Sequence, residues 1–445
     1  MLDRMPDASP DPSASTPAAR PATTTSRTPA ARPGSRRGLK IGLSAALVAV
    51  LAGGYVAACA VAPLPDLEPR LSVDAEQTYR PDPEVSARRT VNQQQKPTAL
   101  GWAGESGAWS NDFDTPRQIA SITKLVTVLV CLDAKPVEAG SDGPSYALTE
   151  QDAEIRRTVL ESDGVVADVP VGRKLTTRQF IELALLPSAN NYAISYARHV
   201  FGTNAGFQKA VGEWIAKHGL KTLRVTEPSG LSEENVASAT ELVEIGRLAL
   251  ADPLVAEVVA EPWADIPGIG PIANSNPLIG DANVIGLKTG TLSSSGYNLL
   301  VARKDRVGDR EAVTIAAVLG RPSAAARAKD ARAVLRDAPK AFAEVALVDQ
   351  DSKIGTVRTW QGETVELRAA RPASAVLLPD ETASRKVRVG ALGAGAAGRT
   401  VGTILTEAPT GKSSVPVVTS RAIAKPDLWW RVTHPGTVFQ GYFGG

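Results

Sequence analysis

Apolar and polar positions alternate along this chain with five different textures. Residues 1–38 are mainly Pro, Ala, Ser, Thr and Arg and hold almost no large apolar side chains. Such a segment buries too little surface to offset its ordering entropy, so it is expected to be a disordered tail. Residues 39–63 contain an uncharged apolar run, 41–62, long enough to cross a bilayer as one helix. Residues 64–95 are rich in Pro, Arg, Gln and Asp without periodicity, and read as a stalk. From 96 to 345 helical spacing comes first: 119–134, 177–186 (stopped by Pro187), 190–201, 207–218 and 242–250. Ser238 and Glu241 form a capping box before the last of these. The period then changes to two. Residues 284–291, 296–303 and 312–319 read as strands, the last two as a hairpin, before helical spacing returns over 323–345. In 346–445 short Val-rich runs recur between Gly, Pro and Asp clusters, at 354–360, 364–367, 375–378, 386–389, 400–406 and 415–418. That spacing predicts a small all-β module.

Charge narrows the functional classes. The 49 basic and 47 acidic residues leave a net charge of +2, with no concentrated basic face of the kind nucleic acid requires. His199, His218 and His434 are scattered, and no Cys/His cluster has metal-ligand spacing, so neither a metal site nor a cofactor is expected. Cys59 and Cys131 lie in separate apolar helices and are not expected to pair. Arg36, Arg37 and Lys40 precede the apolar run and place its N-terminal side in the cytoplasm. Three readings of the run stay open: a single-pass membrane anchor, a lipoprotein signal in which the Val56-Ala57-Ala58-Cys59 string makes Cys59 a lipid site, and a cleaved signal ending near Ala60-Val61-Ala62. All three put the remainder of the chain outside the membrane. The Trp429-Trp430 pair is read as core packing in preference to a membrane or partner contact.

Three short motifs carry candidate chemistry. Ser121-Ile122-Thr123-Lys124 opens an apolar helix. Positions i and i+3 share a face there, so an amine is placed beside a hydroxyl at the positive end of the helix dipole. Burial of the neighbouring Leu125, Val126 and Val128 would desolvate Lys124 and lower its pKa, as a general base needs. Ser188-Ala189-Asn190 follows Pro187 in a tight turn that aims polar side chains into a cleft or merely caps a helix. Lys288-Thr289-Gly290 lies in a strand: alternation puts Lys288 and Gly290 on one face, with Gly290 leaving room for a substrate backbone. A plain edge-strand Lys288 is the competing reading.

In this order and context the trio resembles that of penicillin-binding proteins and class A β-lactamases, with Ser-Ala-Asn standing where Ser-Asp-Asn is usual. Residues 97–345 are similar to the low-molecular-weight D-alanyl-D-alanine carboxypeptidases. The similarity includes Arg117-Gln118-Ile119-Ala120, Leu185-Leu186-Pro187, the Glu227-Pro228-Ser229-Gly230-Leu231 turn and Asn274-Ser275-Asn276. It implies an α+β fold of the β-lactamase/transpeptidase-like kind, with a helical subdomain on a mainly antiparallel sheet. It implies that Ser121 is acylated, Lys124 is its base, and Ser188 relays a proton. Asn190 would orient the substrate amide, and Lys288 and Thr289 would meet the terminal carboxylate and help the proton relay, with Gly290 beside them on the substrate strand. The backbone N–H groups of Ser121 and Thr291 would form the oxyanion hole. Arg327 matches a carboxylate-binding Arg of some members or is an ordinary exposed helix residue. The implied substrate is the peptidoglycan stem peptide, with β-lactams as covalent inhibitors. Alternatives are an endopeptidase, transpeptidase or β-lactamase on the same scaffold, or a non-catalytic scaffold that binds peptidoglycan or a partner. Asn191 and Leu292 depart from the family's usual Asp and Thr, and no Glu stands where a class A β-lactamase activates its deacylating water.

Overall fold

The computed structural model describes residues 36–81, 85–112 and 115–443; most of the expected disordered tail lies outside them. One compact unit spans Asp66–Lys425, and a second joins the chain up to Pro65 with the segment from Pro426.

The larger unit contains a five-stranded antiparallel sheet. Its order is Val284–Leu292, Gly296–Val307, Arg310–Arg321, Thr98–Trp102, Trp109–Ser110. Alternation along the middle strands serves two cores at once. Leu300, Ala302, Ile315 and Ala317 face the helical core, while Leu299, Val301, Ala316 and Val318 face a second core with Val334 and Leu335. Both faces are buried, so the strands read as nearly continuous apolar runs. Helix Ala239–Ala251 lies on the first face, where Gly246 lets it approach closely: a Cβ there would stand 2.8 Å from Ile315 Cγ2. Helix Ala324–Asp337 packs on the strand Arg310–Arg321 from the second core. The helices Thr123–Ala134, Thr177–Leu185, Asn190–Phe201 and Asn204–Lys217 build the rest of the first core.

The C-terminal runs form the expected β module with its own core, including Ile354, Val365, Leu367, Ile404, Val415 and Val417. Its main sheet has seven strands, and two come from the segment expected to be a stalk. Pro69–Leu71 pairs with Lys353–Arg358, and Glu76–Tyr79 pairs with Ala383–Val389. The helix Val85–Asn92 then buries Ala87 and Val91 against the sheet's second core. The described residues between 66 and 95 are therefore integrated into this unit and do not form a stalk. The strands are three and four residues long and mostly exposed, too short and too polar to show a period by themselves.

In the smaller unit, helix Arg36–Val61 is accompanied by the short helices Leu428–Thr433 and Pro435–Phe443. The segment Ile41–Val61 is long and apolar enough to cross a membrane. The reading of Trp429 as core is corrected: its side chain is 75% exposed. Trp430 instead stacks on His434, one helical turn later, with ring centroids 4.3 Å apart.

Candidate active site

Ser121 sits in a 3-10 turn, Ala120–Ile122, that runs directly into the helix Thr123–Ala134. Several contacts hold the segment before it. Arg117–Gln118 pairs with Val236–Ala237, Ile119 N donates to Asn235 O, and Asn298 Nδ2 donates to Gln118 O, the last two at 3.0 Å. Ala120 takes a positive φ of 50°, unusual for a residue with a side chain. Two glycines make room for this turn. A Cβ on Gly230 would stand 2.1 Å from Ala120 O, and one on Gly290 would stand 2.4 Å from Ile119 O. The open side of Gly290 is thus filled by the nucleophile segment, which corrects the expectation that it makes space for a substrate backbone.

Ten consecutive residues of the nucleophile helix, Thr123 to Leu132, are buried, and Lys124 is among them at 0% exposure. Its Nζ lies 2.7 Å from Ser121 Oγ and donates to Ser229 O at 2.6 Å. Burial pulls the Lys124 pKa down to about 7, against an opposing pull from the Glu227 charge. A large fraction of the amine is then the free base near neutrality, in contact with the hydroxyl it would deprotonate.

The second motif is brought to the same place. Ser188 adopts a positive φ of 68°. For a non-glycine residue that costs about 1–3 kcal/mol and persists only when the surroundings impose it. Its Oγ is buried without a protein hydrogen-bond partner among the described residues. Asn190, by contrast, is fully engaged. Its Oδ1 accepts from Val165 N at 3.0 Å and its Nδ2 donates to Ser229 O at 3.2 Å, so it ties two loops together. Asn191, where the resembled family has Asp, brackets Ala167 by accepting from its N and donating to its O. An amide does both jobs and a carboxylate cannot donate, so this departure is structural.

The third motif lies on Val284–Leu292, the edge strand of the five-stranded sheet. Lys288 is nevertheless 1% exposed, which excludes the solvent-facing edge lysine. Its Nζ has no protein hydrogen-bond partner among the described residues. Its pKa is well below the ordinary value because of burial, reinforced by the nearby charges of Lys124 and Arg327. Thr289 points the other way, as alternation requires, to a 2.9 Å hydrogen bond between its Oγ1 and Ser275 Oγ. Thr291, at the end of the strand, is exposed. Arg327 is buried rather than an exposed helix residue. Its guanidinium stands over the Tyr297 ring and donates to Asn298 O at 3.2 Å, close to Thr291 Oγ1 at 3.4 Å. A cleft of about 1380 Å³ opens beside this strand end. It takes in Thr291, Tyr297 and Arg117 but neither Ser121 nor Lys288, and so flanks the candidate centre.

Two contributors escaped the sequence reading. Asn298 links the nucleophile segment to the sheet, with its Oδ1 accepting from Gly320 N while Nδ2 reaches Gln118. Glu227 organises the turn that carries Ser229 O. Its carboxylate accepts from Ser229 N and Oγ, Gly230 N, Ser232 N and Asn235 Nδ2 at 2.6–3.2 Å. The one sequence signal for it was an acidic residue where the resembled turn has Asn. Among the described residues, no group of His, Cys, Asp and Glu is arranged to hold a metal.

Comparison with known proteins agrees with this geometry. Residues 108–322 match the family model of the D-alanyl-D-alanine carboxypeptidases. Over 201 residues the chain is 31% identical to a D-alanyl-D-alanine endopeptidase of Pseudomonas aeruginosa, covering 43% of this chain and 61% of that protein. Over 262 residues it is 28% identical to the D-alanyl-D-alanine carboxypeptidase DacD of Escherichia coli, covering 56% and 63%. The chain thus spans under two thirds of the length of these relatives. The solved structure of penicillin binding protein 5 from Haemophilus influenzae superposes with a TM-score of 0.51 at 18% identity, over 78% of this chain and 99% of that one, and shares the fold. The domain that sets Ser121 against Lys124 is thus similar, over residues 108–322, to the D-alanyl-D-alanine carboxypeptidases.

Proposed function

We propose that this protein is a serine-type D-alanyl-D-alanine carboxypeptidase that removes the terminal D-alanine of peptidoglycan stem peptides, working outside a membrane to which residues 41–62 anchor it. The observation that carries the reading is the buried amine of Lys124 at 2.7 Å from Ser121 Oγ. Neutral Lys124 takes the Ser121 proton as Oγ attacks the penultimate D-alanyl carbonyl. The oxyanion is held by the N–H groups of Ser121 and Thr291. The proton passes through Ser188 to the departing amine, and water then attacks the acyl-enzyme. Splitting the hydrolysis in this way lowers each barrier. Arg327 supplies positive charge for the substrate's terminal carboxylate with Thr291 beside it, and Lys288 supplies a hydrogen-bonding amine.

A second reading, endopeptidase on crosslinked peptides, is favoured by one observation: three of the similar relatives carry that name. A β-lactamase is disfavoured. Glu227, the carboxylate whose charge reaches Lys124, already accepts five hydrogen bonds from its own turn.

Labelling with a fluorescent penicillin tests the mechanism: a stable adduct is expected, and Ser121→Ala should abolish it. A folded wild-type protein that takes no label would overturn the reading. Product analysis on a pentapeptide against a crosslinked dimer then separates carboxypeptidase from endopeptidase.

A further inference from the structure

One hairpin outside the three motifs is tied to two of them. Trp263–Ile266 pairs antiparallel with Gly270–Ala273, with Trp263 opposite Ala273 and Asp265 opposite Pro271. Alternation turns Ala264, Ile266 and Ile272 toward the helical core and leaves Trp263, Asp265, Pro271 and Ala273 exposed on the outer face. The open end of the hairpin is clamped. Asn274 N donates to Pro262 O at 2.9 Å, and its Nδ2 donates to Val259 O and Glu261 O. Ser275 N donates to Leu186 O at 2.8 Å, two residues before Ser188, and Ser275 Oγ meets Thr289 Oγ1. Ser275 is itself exposed and continues the alternation of Pro271 and Ala273. The outer face of the hairpin therefore leads to the third motif.

That face carries an uncovered aromatic ring. Trp263 is 61% exposed, and among the described residues of the larger unit it is the only exposed aromatic side chain. Its cross-strand neighbour Ala273 is too small to cover the indole. An exposed indole forgoes the burial that ordinarily places so large a ring in a core. Asp265 stands two residues along on the same face. Residues 261–276 hold no Lys or Arg, so the hairpin itself is not built to take the carboxylates of a peptide. An aromatic plane beside a carboxylate fits a neutral sugar, whose C–H face lies on the ring while its hydroxyls donate to the carboxylate. The distances agree. Ala273 is about 7 Å along the strand from Ser275. The three residues between a D-alanyl-D-alanine end and the sugar of a stem pentapeptide span roughly 10 Å when extended.

We propose that Trp263 and Asp265 form a saccharide subsite, in which the indole stacks on the sugar that bears the stem peptide while the end of the peptide lies at Ser121. The proposal rests on the carboxypeptidase reading and adds to it the part of the substrate that the hairpin recognises. Trp263 makes the same contact before and during acylation, so its contribution is to binding and is read in KM rather than in kcat.

The test uses the full-length protein in detergent micelles and two substrates, a free stem pentapeptide and the same pentapeptide carried on its disaccharide. In the wild type the disaccharide should lower KM by about fivefold, the scale of one aromatic stacking contact. Trp263→Ala should abolish that gain, and Trp263→Phe should keep most of it. Both exchanges fall at an exposed position and should leave the fold intact. A wild type with equal KM for the two substrates, or a Trp263→Ala variant that keeps the gain, overturns the subsite. Penicillin labelling of the same samples keeps the two readings apart. A folded wild type that takes no label defeats the carboxypeptidase reading itself, whereas a labelled Trp263→Ala variant with the gain intact defeats the subsite alone.

Discussion

Around Ser121 three cations, Lys124, Lys288 and Arg327, stand at 0, 1 and 6% exposure, and none forms an ion pair among the described residues. In the β module, Lys386, Arg368, Lys412 and Arg421 remain at the surface, paired with Glu76, Glu366, Glu407 and Glu363. The same residue types meet opposite environments within one unit. Exposed pairs contribute little to stability, because water already solvates both partners. Buried like charges work against stability, through desolvation and mutual repulsion. A fold keeps such a cluster only where another property compensates, and the proposed chemistry supplies one, an amine held largely neutral beside the Ser121 hydroxyl.

The contrast can be broken most severely at the nucleophile pair. Lys124→Met should leave the fold intact and slow penicillin acylation by roughly a thousandfold or more, the scale of a lost general base. A stopped-flow acylation rate within tenfold of wild type would assign the base elsewhere. Gly290→Ala comes next. Its new Cβ would press on Ile119 O from 2.4 Å, displacing the nucleophile segment, so acylation should fall by about a hundredfold, as for misplacement of a reacting group. Gly436→Ala, with open space around it, is the matching control and should do nothing.

A finer effect concerns pH. Lys124 acts as free base, so the acylation rate should rise with pH through a midpoint near 7 and fall as the amine protonates below it. Glu227 holds that midpoint up. In Glu227→Gln the midpoint should move to lower pH, because the pull that opposes burial is then gone. A midpoint that stays fixed or moves upward would show that Glu227 only shapes its turn. Lys288→Met should separate function from stability: acylation falls, while the melting temperature rises because a desolvated amine is replaced by an apolar chain. A lower melting temperature would mean that Lys288 is structurally required. The smallest effect belongs to the β module, where Lys386→Ala with Glu76→Ala should change neither acylation nor thermal stability measurably.

Much of this organisation was legible beforehand. The helix Asn190–Phe201 and three strands of the five-stranded sheet, Val284–Leu292, Gly296–Val307 and Arg310–Arg321, were legible in the pattern of the chain, while Thr98–Trp102 and Trp109–Ser110 were not. The first motif placed the Lys124 amine beside the Ser121 hydroxyl, as the structure does at 2.7 Å, because i and i+3 meet within one helical turn. Pro69–Leu71 and Glu76–Tyr79 were missed, as their partners lie about three hundred residues away and no local pattern announces such pairing. Asn298 and Glu227 were missed for a related reason: an amide or a carboxylate is ordinary in sequence, and only its neighbours in space make it a brace.

What the order of residues determined by itself was the kind of chemistry: a hydroxyl one turn from an amine on an apolar helix, with a second lysine on a strand. Tertiary structure decided whether that chemistry is available. Burial on all sides lowers the Lys124 pKa to about 7, the turn held by Glu227 supplies the carbonyl that fixes its Nζ, and Gly230 and Gly290 let two distant segments press Ser121 into position. Each of these depends on groups more than a hundred residues from Ser121 or on the dielectric they create together, and neither distance nor dielectric is written in a local stretch of sequence.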